Sequence, residues 1–257
     1  MNKFLIIPIF NEIEKSISVA EKYNLGFEFN DFFHPAILSD EKRLNDRIEN
    51  YNALKLPDFL TSHGDFFDVT IFSEDPEIRR ISDLRVRQSI ETARKLGAKA
   101  VVFHGNHNPF LKGRAYLDHW LKLNEEYWSK ILSENPDINI YIENMFDESP
   151  YLLAELSERL SSFSNYGICY DYAHAVISKT PVELWTETLA PYVRHLHIND
   201  NDLSEDSHLA VGEGKIDWAM FKKALKEKFP DASVLIETST LERQEKSIEF
   251  LLKNGII

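Results

Sequence analysis

Five hydrophobic runs in this 257-residue chain end on side chains able to bind a metal: FLTSH at His63, AVVFH at His104, INIYIE at Glu143, GICYD at Asp171 and SVLIE at Glu237. A sixth, VRHLHIND, carries His197 near its end and is followed by Asp206 and His208. Divalent ions at enzyme sites take imidazole nitrogen and carboxylate oxygen, and their donors must be gathered from separate elements. A lone histidine at an apolar strand end is more often a core or loop residue, but recurrence at successive runs weakens that reading. Asp171 and His174 in CYDYAH add a local pair, since a strand end and the first turn beyond it can face one mouth. Glu143, Asp171, His197 and Glu237 are therefore the first metal-binding set. His63, His104, His174, Asp206 and His208 are further ligand candidates.

The elements that must position these residues alternate from end to end. Apolar strand patterns fall at 4–7, 25–29, 59–62, 100–103, 138–142, 166–170, 193–198 and 233–236. Amphipathic helical patterns fall between them at 12–23, 40–53, 76–96, 114–134, 149–162, 181–189 and 217–228, with a last one at 241–253. Repeated βα units imply a parallel sheet with helices outside, and eight of them imply closure into a barrel whose C-terminal mouth collects the strand ends. The expected fold is thus α/β, a single (β/α)8 TIM barrel spanning residues 1–257 as one domain; an open doubly wound sheet is the alternative. Gly97 and Gly255 are expected helix stops, and Pro76, Pro150 and Pro181 fall where proline is tolerated near a helix start. The stretch from Asn199 to Gly214 is the longest without a clear element, as expected of a βα loop over the active face.

Composition narrows the partners. With 29 basic and 42 acidic residues the formal charge is −13, which disfavours tight binding to a polyanion unless basic groups cluster locally. Arg79 with Arg80, and Lys222 with Lys223, sit in amphipathic segments and read as solvated helix faces. The only cysteine, Cys169, cannot form an internal disulfide and reads as a small core residue two positions before Asp171. No apolar stretch approaches the roughly 20 residues that cross a bilayer, and the N-terminal run is too short for a typical signal peptide. A soluble cytoplasmic protein is the expectation.

The order of His63, His104, IEN at 142–144, YDYAH at 170–174, HLHIND at 195–200, DSHLAVGEGKIDW at 206–218 and IET at 236–238 resembles the xylose-isomerase-like TIM barrels, over roughly residues 59–252. That superfamily holds sugar isomerases and epimerases together with the endonuclease IV class of DNA-repair enzymes. The resemblance implies an eight-stranded barrel with a divalent-metal site at its C-terminal face. It matches Glu143, Asp171, His197 and Glu237 to the four-ligand site of the epimerase-like members, with zinc or manganese as the expected ion. It matches His63, His104, His174, Asp206 and His208 to the additional ligands of a three-zinc cluster. One fold and one ligand set host unrelated reactions, so the substrate is a separate question.

Departures bear on that question. Where endonuclease IV members carry an Asn-, Gln- and base-rich stretch after the second strand, this chain reads FEFNDFFHP at 27–35, better suited to lining a small pocket than to holding phosphates. After His63 it reads GDFFDVT, where Phe66 or Phe67 offers a wedge for a base stack but Asp65 and Asp68 repel a phosphate backbone. Asp31, Asp200, Asp202 and Glu205 are expected to add to that repulsion. The leading expectation is a metal-dependent isomerase or epimerase of a small carbohydrate, with Glu143 and Glu237 as acid and base and His174 assisting proton movement; nucleic acid is a disfavoured partner. Zinc-dependent hydrolysis at abasic DNA and a non-catalytic metal-binding barrel are the alternatives. His195 is expected one layer below His197 in the barrel interior, His107 either at the mouth or in solvent, Gly212 and Gly214 as turn residues, and the four tryptophans as packing residues.

Overall fold

A computed structural model describes residues 2–66 and 68–257. Eight parallel strands close into a barrel in sequence order: β1 (Phe4–Ile6), β2 (Gly26–Phe29), β3 (Leu60–His63), β4 (Ala100–His104), β5 (Asn139–Glu143), β6 (Tyr166–Asp171), β7 (Val193–Ile198) and β8 (Ser233–Ile236), with β8 paired back onto β1. The open-sheet alternative is excluded by that closure.

The helices follow the expected alternation: α1 (Ile13–Tyr23), α2 (Pro35–Leu38), α3 (Glu41–Asn52), α4 (Pro76–Lys95), α5 (Arg114–Glu134), α6 (Tyr151–Leu160), α7 (Tyr172–Ile177), α8 (Val182–Leu189), α9 (Trp218–Lys228) and α10 (Leu241–Lys253). Their starts have local causes. Asp75 accepts from Glu77 N before α4, Asp217 from Ala219 N and Met220 N before α9, and Thr240 from Arg243 N before α10, each satisfying donors that a first helical turn leaves unpaired. Pro76 opens α4, whereas Pro150 and Pro181 stand one residue before α6 and α8 as their N-caps. Gly97 and Gly255 take positive φ just past α4 and α10, as expected of helix stops. The short α2 and α7 are absent from the sequence reading, because fewer than two turns leave no periodicity to detect.

Two layers of packing hold the architecture. Between barrel and helices, Trp120, Trp128, Trp185, Phe103 and Phe221 are buried to within 2%, and each large apolar side chain so placed contributes on the order of 1.5–3 kcal/mol. Inside the barrel the chemistry changes. Glu28, Thr61, Glu143, His195, His197 and Ser233 are all buried, in a region that barrels ordinarily fill with branched aliphatic side chains. Among the described residues no helix is long and apolar enough to cross a membrane.

Candidate metal centre

Strand pairing puts the expected ligands next to one another. His104 is in register with Glu143 and Asp171 with His197, so donors on neighbouring strands are held at the backbone spacing of a sheet, about 4.8 Å. His63, His104, Glu143 and Asp171 are the last residues of their strands rather than the first beyond them; Glu237 lies one past β8.

Three groups of donors result. Atoms of Glu143, Asp171, His197 and Glu237 lie within 4.8 Å of one another, as do those of His63, His104 and Glu143. Glu143 belongs to both: its Oε2 is 3.3 Å from His63 Nε2 and 3.2 Å from His104 Nε2, while its Oε1 is 3.3 Å from His197 Nδ1. In the third group, Asp206 Oδ2 sits 3.2 Å from His174 Nε2 and 2.8 Å from His208 Nε2. His174 Nδ1 at 3.7 Å from Glu143, and His208 Nδ1 at 4.0 Å from Glu237, connect this trio to the rest. All nine residues singled out from sequence thus meet at one mouth.

The local structure aims these side chains. Asp171 both ends β6 and caps α7, its Oδ1 accepting from His174 N at 2.6 Å. Asn144 clamps the same strand end, donating to Asp171 O and accepting from Asp171 N, each at 2.9 Å. Its own carbonyl lies 2.8 Å from His174 Nδ1, which leaves Nε2 to face Asp206. His63 Nδ1 is likewise 2.9 Å from Gly64 O, and His208 Nδ1 3.0 Å from Glu237 O. Asn144 stands in the IEN motif, yet its clamping role had no sequence signal.

The loop bearing Asp206 and His208 is anchored by Asp200. Its carboxylate accepts from the backbone N–H groups of Asn201, Gly212 and Ile216 and from Trp218 Nε1. This corrects the expectation that Asp200 lends charge to the mouth: it is fully buried and saturated with donors. Asp65 is also fully buried, 3.8 Å from Arg85, rather than a surface charge. Gly212 turns the loop at φ +91°, and His208 itself adopts φ +45°, a conformation uncommon for a residue with a Cβ.

Electrostatics follow from burial among opposite charges. Although burial opposes ionisation, His197 and His104 hold Glu143 well below the usual carboxylate range. Burial, reinforced by Glu237, Glu143 and Asp206, pushes Asp171 up to about 8 despite His174. His174 and His208 rise against their burial, His174 through Asp171 and Asp206, and His208 to about 10 through Asp206 and Glu237. His63 rises, against its burial, through Glu143, whereas burial carries His104 down.

The donors fit a divalent cation. Asp171 Oδ2, Glu237 Oε2 and His197 Nδ1 are buried with no hydrogen-bond partner among the described residues, a costly state for polar atoms that an ion among mixed nitrogen and oxygen ligands relieves. Cys169 approaches His195 and His197 as another donor group, deeper in the barrel. There both imidazoles turn Nε2 toward Glu28 at an ion-pair distance of 3.0 Å, and burial raises the thiol well above its usual range. His195 also has Nδ1 2.6 Å from Ser233 Oγ, one layer below the mouth as expected.

The surroundings match the remaining expectations in part. Asn30, Asp31 and Phe33 from FEFNDFFHP line a cavity of about 390 Å³ with Ile7, Arg47 and Ser239. Asp31 is paired with Arg47 at 3.1 Å and accepts from Tyr51. Phe66 packs 4.6 Å from the His104 ring and stacks on Phe33; Phe67, the other proposed wedge, lies outside the described residues. His107 pairs with Asp147 at 3.1 Å, its side chain 11% exposed, rather than standing in solvent. Among the tryptophans, Trp218 does more than pack, through its bond to Asp200.

A family model described as xylose isomerase-like TIM barrel matches residues 20–254. The uncharacterized protein MJ1311 of Methanocaldococcus jannaschii is 30% identical over 202 residues, covering 75% of this chain and 68% of its own length. A probable endonuclease 4 of Campylobacter concisus is 24% identical, with 76% of this chain and 75% of that protein covered. Among solved structures, a D-tagatose 3-epimerase-like protein superimposes with a TM-score of 0.77 at 25% identity, covering 98% of this chain and 96% of that one. Sharing the closed barrel, the model match and the archaeal relative, the chain belongs to the xylose isomerase-like TIM barrel family.

Proposed function

We propose that the protein is a divalent-metal-dependent isomerase or epimerase of a small carbohydrate, free or phosphorylated, which moves a proton on a carbon next to a carbonyl. The observation that carries this is the pairing of two carboxylates on one donor group: Glu143 and Glu237 lie 3.3 and 3.6 Å from the same His197 nitrogen. Zinc or manganese held by Glu143, Asp171, His197 and Glu237 would supply Lewis-acid polarisation of the carbonyl and its neighbouring hydroxyl.

The residues divide the remaining work. Glu237 has a side chain 13% exposed at the rim, against 1% for Glu143, so it is the better placed to meet a carbon-bound proton. Glu143 approaches from β5 and is surrounded by His63, His104 and His197, which favour its ionised form; returning a proton from its side requires loosening of those contacts. His174 has Nδ1 on Asn144 O and Nε2 on Asp206, an arrangement that supports a ligand role over a free proton shuttle. Phe66 and Phe33 cover the His104 side of the mouth and limit the entry of water.

A second reading, zinc-dependent phosphodiester hydrolysis at abasic DNA, is favoured by the third donor group and by the endonuclease 4 relative. The formal charge of −13 weighs against it. One experiment separates the readings: metal-loaded protein in deuterated water with a panel of sugars, sugar phosphates and inososes, beside an abasic duplex. Deuterium incorporation that disappears in both Glu143→Gln and Glu237→Gln supports the isomerase; incision of the duplex with no exchange reverses the order. Neither activity from a fully metallated protein leaves the non-catalytic metal-binding barrel.

A further inference from the structure

Several histidines of the site have their second ring nitrogen set against a backbone carbonyl: His63 on Gly64, His174 on Asn144 and His208 on Glu237. His197 is held differently. Its Nε2 lies 3.0 Å from Oε1 of Glu28, a residue on β2 with no exposed surface. The contact is at ion-pair distance but off the line of a hydrogen bond. We infer that Glu28 is the positioning residue for His197, keeping the ring proton on Nε2 and leaving Nδ1 to serve as the ligand nitrogen toward Glu143 and Glu237. The inference rests on the metal-site reading above but not on any choice of substrate.

The surroundings of Glu28 are organised for this task. Thr61 Oγ1 donates to its Oε2 at 2.6 Å, and His195 Nε2 stands 3.0 Å from the same oxygen. His195 is in turn held by Ser233, 2.6 Å from its Nδ1. A polar tier therefore runs across the barrel from β3 through β2 to β7 and β8, one layer beneath the donor atoms. An isolated carboxylate in such a place is strongly disfavoured, and its partners on this tier account for its being tolerated. Glu28 lies on the side of His197 away from the mouth and so has no route to a substrate. A carboxylate behind a ligating imidazole fixes both its tautomer and its ring plane and makes it a stronger donor.

The test is to record long-range 1H–15N spectra of the histidine rings in the 15N-labelled protein, with and without Zn2+, assigning His197 by its loss in His197→Gln. The proton is expected on Nε2 in both states, with Nδ1 shifted by the ion. Chelator competition with Zn2+ on Glu28→Gln is expected to show a 10- to 100-fold loss of affinity, while its far-UV spectrum and metal-free unfolding midpoint stay close to those of the parent. Thr61→Val, which removes only the hydroxyl behind Glu28, is expected to lose less in the same direction. A proton found on Nδ1 in the unaltered protein overturns the inference whatever Glu28→Gln does. Unchanged Zn2+ affinity in a folded Glu28→Gln overturns it too. Absence of sugar exchange, with these readouts as expected, overturns only the isomerase reading.

Discussion

Glu143 on β5 reaches His197 on β7 with one oxygen, Oε1 to Nδ1 at 3.3 Å, while its other oxygen faces His63 and His104. A single carboxylate thus joins the two inner donor groups, which are fused rather than adjacent. Removing its charge should be felt in both. Glu143→Gln is expected to reduce bound Zn2+ or Mn2+ further than Glu237→Gln or Asp171→Asn, each of which touches one of those groups. Elemental analysis after dialysis against chelator-free buffer, with far-UV spectra to confirm folding, checks the ranking; no divalent ion bound by the parent even on titration would refute the site.

The outer group depends on Asp206 between His174 and His208. His208→Ala is expected to remove about one ion per chain from a multinuclear site while leaving the inner group loaded, since three ligands are the usual minimum for such an ion. Unchanged metal content would mean the smaller four-ligand site.

Proton binding should set the stability of the metal-free protein. Burial and neighbouring carboxylates raise Asp171 to about 8, and Asp206 with Glu237 raises His208, against its burial, to about 10. Both values exceed those of an unfolded chain, about 3.9 and 6.5, so the folded state binds protons that unfolding releases. Their stabilising contribution is complete below the unfolded values and is lost as pH rises, between about 4 and 8 for Asp171 and between about 6.5 and 10 for His208. The unfolding temperature in chelator is therefore expected to fall from pH 6.5 to 10. With saturating Zn2+ the slope should flatten, because the ion replaces those protons and binds better as they leave. Equal slopes with and without ion would contradict the assignment.

Asp200 holds the loop after β7 with four accepted hydrogen bonds. Asp200→Ala leaves buried N–H groups unpaired and is expected to cost more than about 2 kcal/mol in denaturant unfolding. It should also lower metal occupancy as His208→Ala does, although Asp200 is not among the nine donors; full occupancy in a folded variant would show that the loop holds itself.

The strand ends and the barrel are legible because five of the eight apolar runs stop at a metal-capable residue and a sixth carries His197 near its end, a signal that needs no knowledge of pairing. Glu28 is not. FEF reads as a strand fragment with one charged residue, and only the closed register shows that its side chain points into the barrel beneath His197. Asp200 and Asp65 are misread for a related reason: in sequence, a loop carboxylate facing solvent looks identical to one gripped by backbone N–H groups, as Asp200 is, or buried beside an arginine, as Asp65 is. Asn144 shows the same limit, since its clamp on Asp171 spans two strands.

The division of labour between barrel and loop has a consequence for how such a centre can be altered. The inner donors are spaced by the backbone ladder, so their geometry is a property of the whole sheet and resists piecemeal change. Asp206 and His208 ride on one excursion whose ends are tied to Asp200, with an isolated bridge between Asp200 and Leu209 closing its neck. That excursion is an exchangeable module. Transplanting a different loop between the same two anchor points would vary the outer ligands, and with them the nuclearity of the centre, while the rigid inner ligands stay as they are.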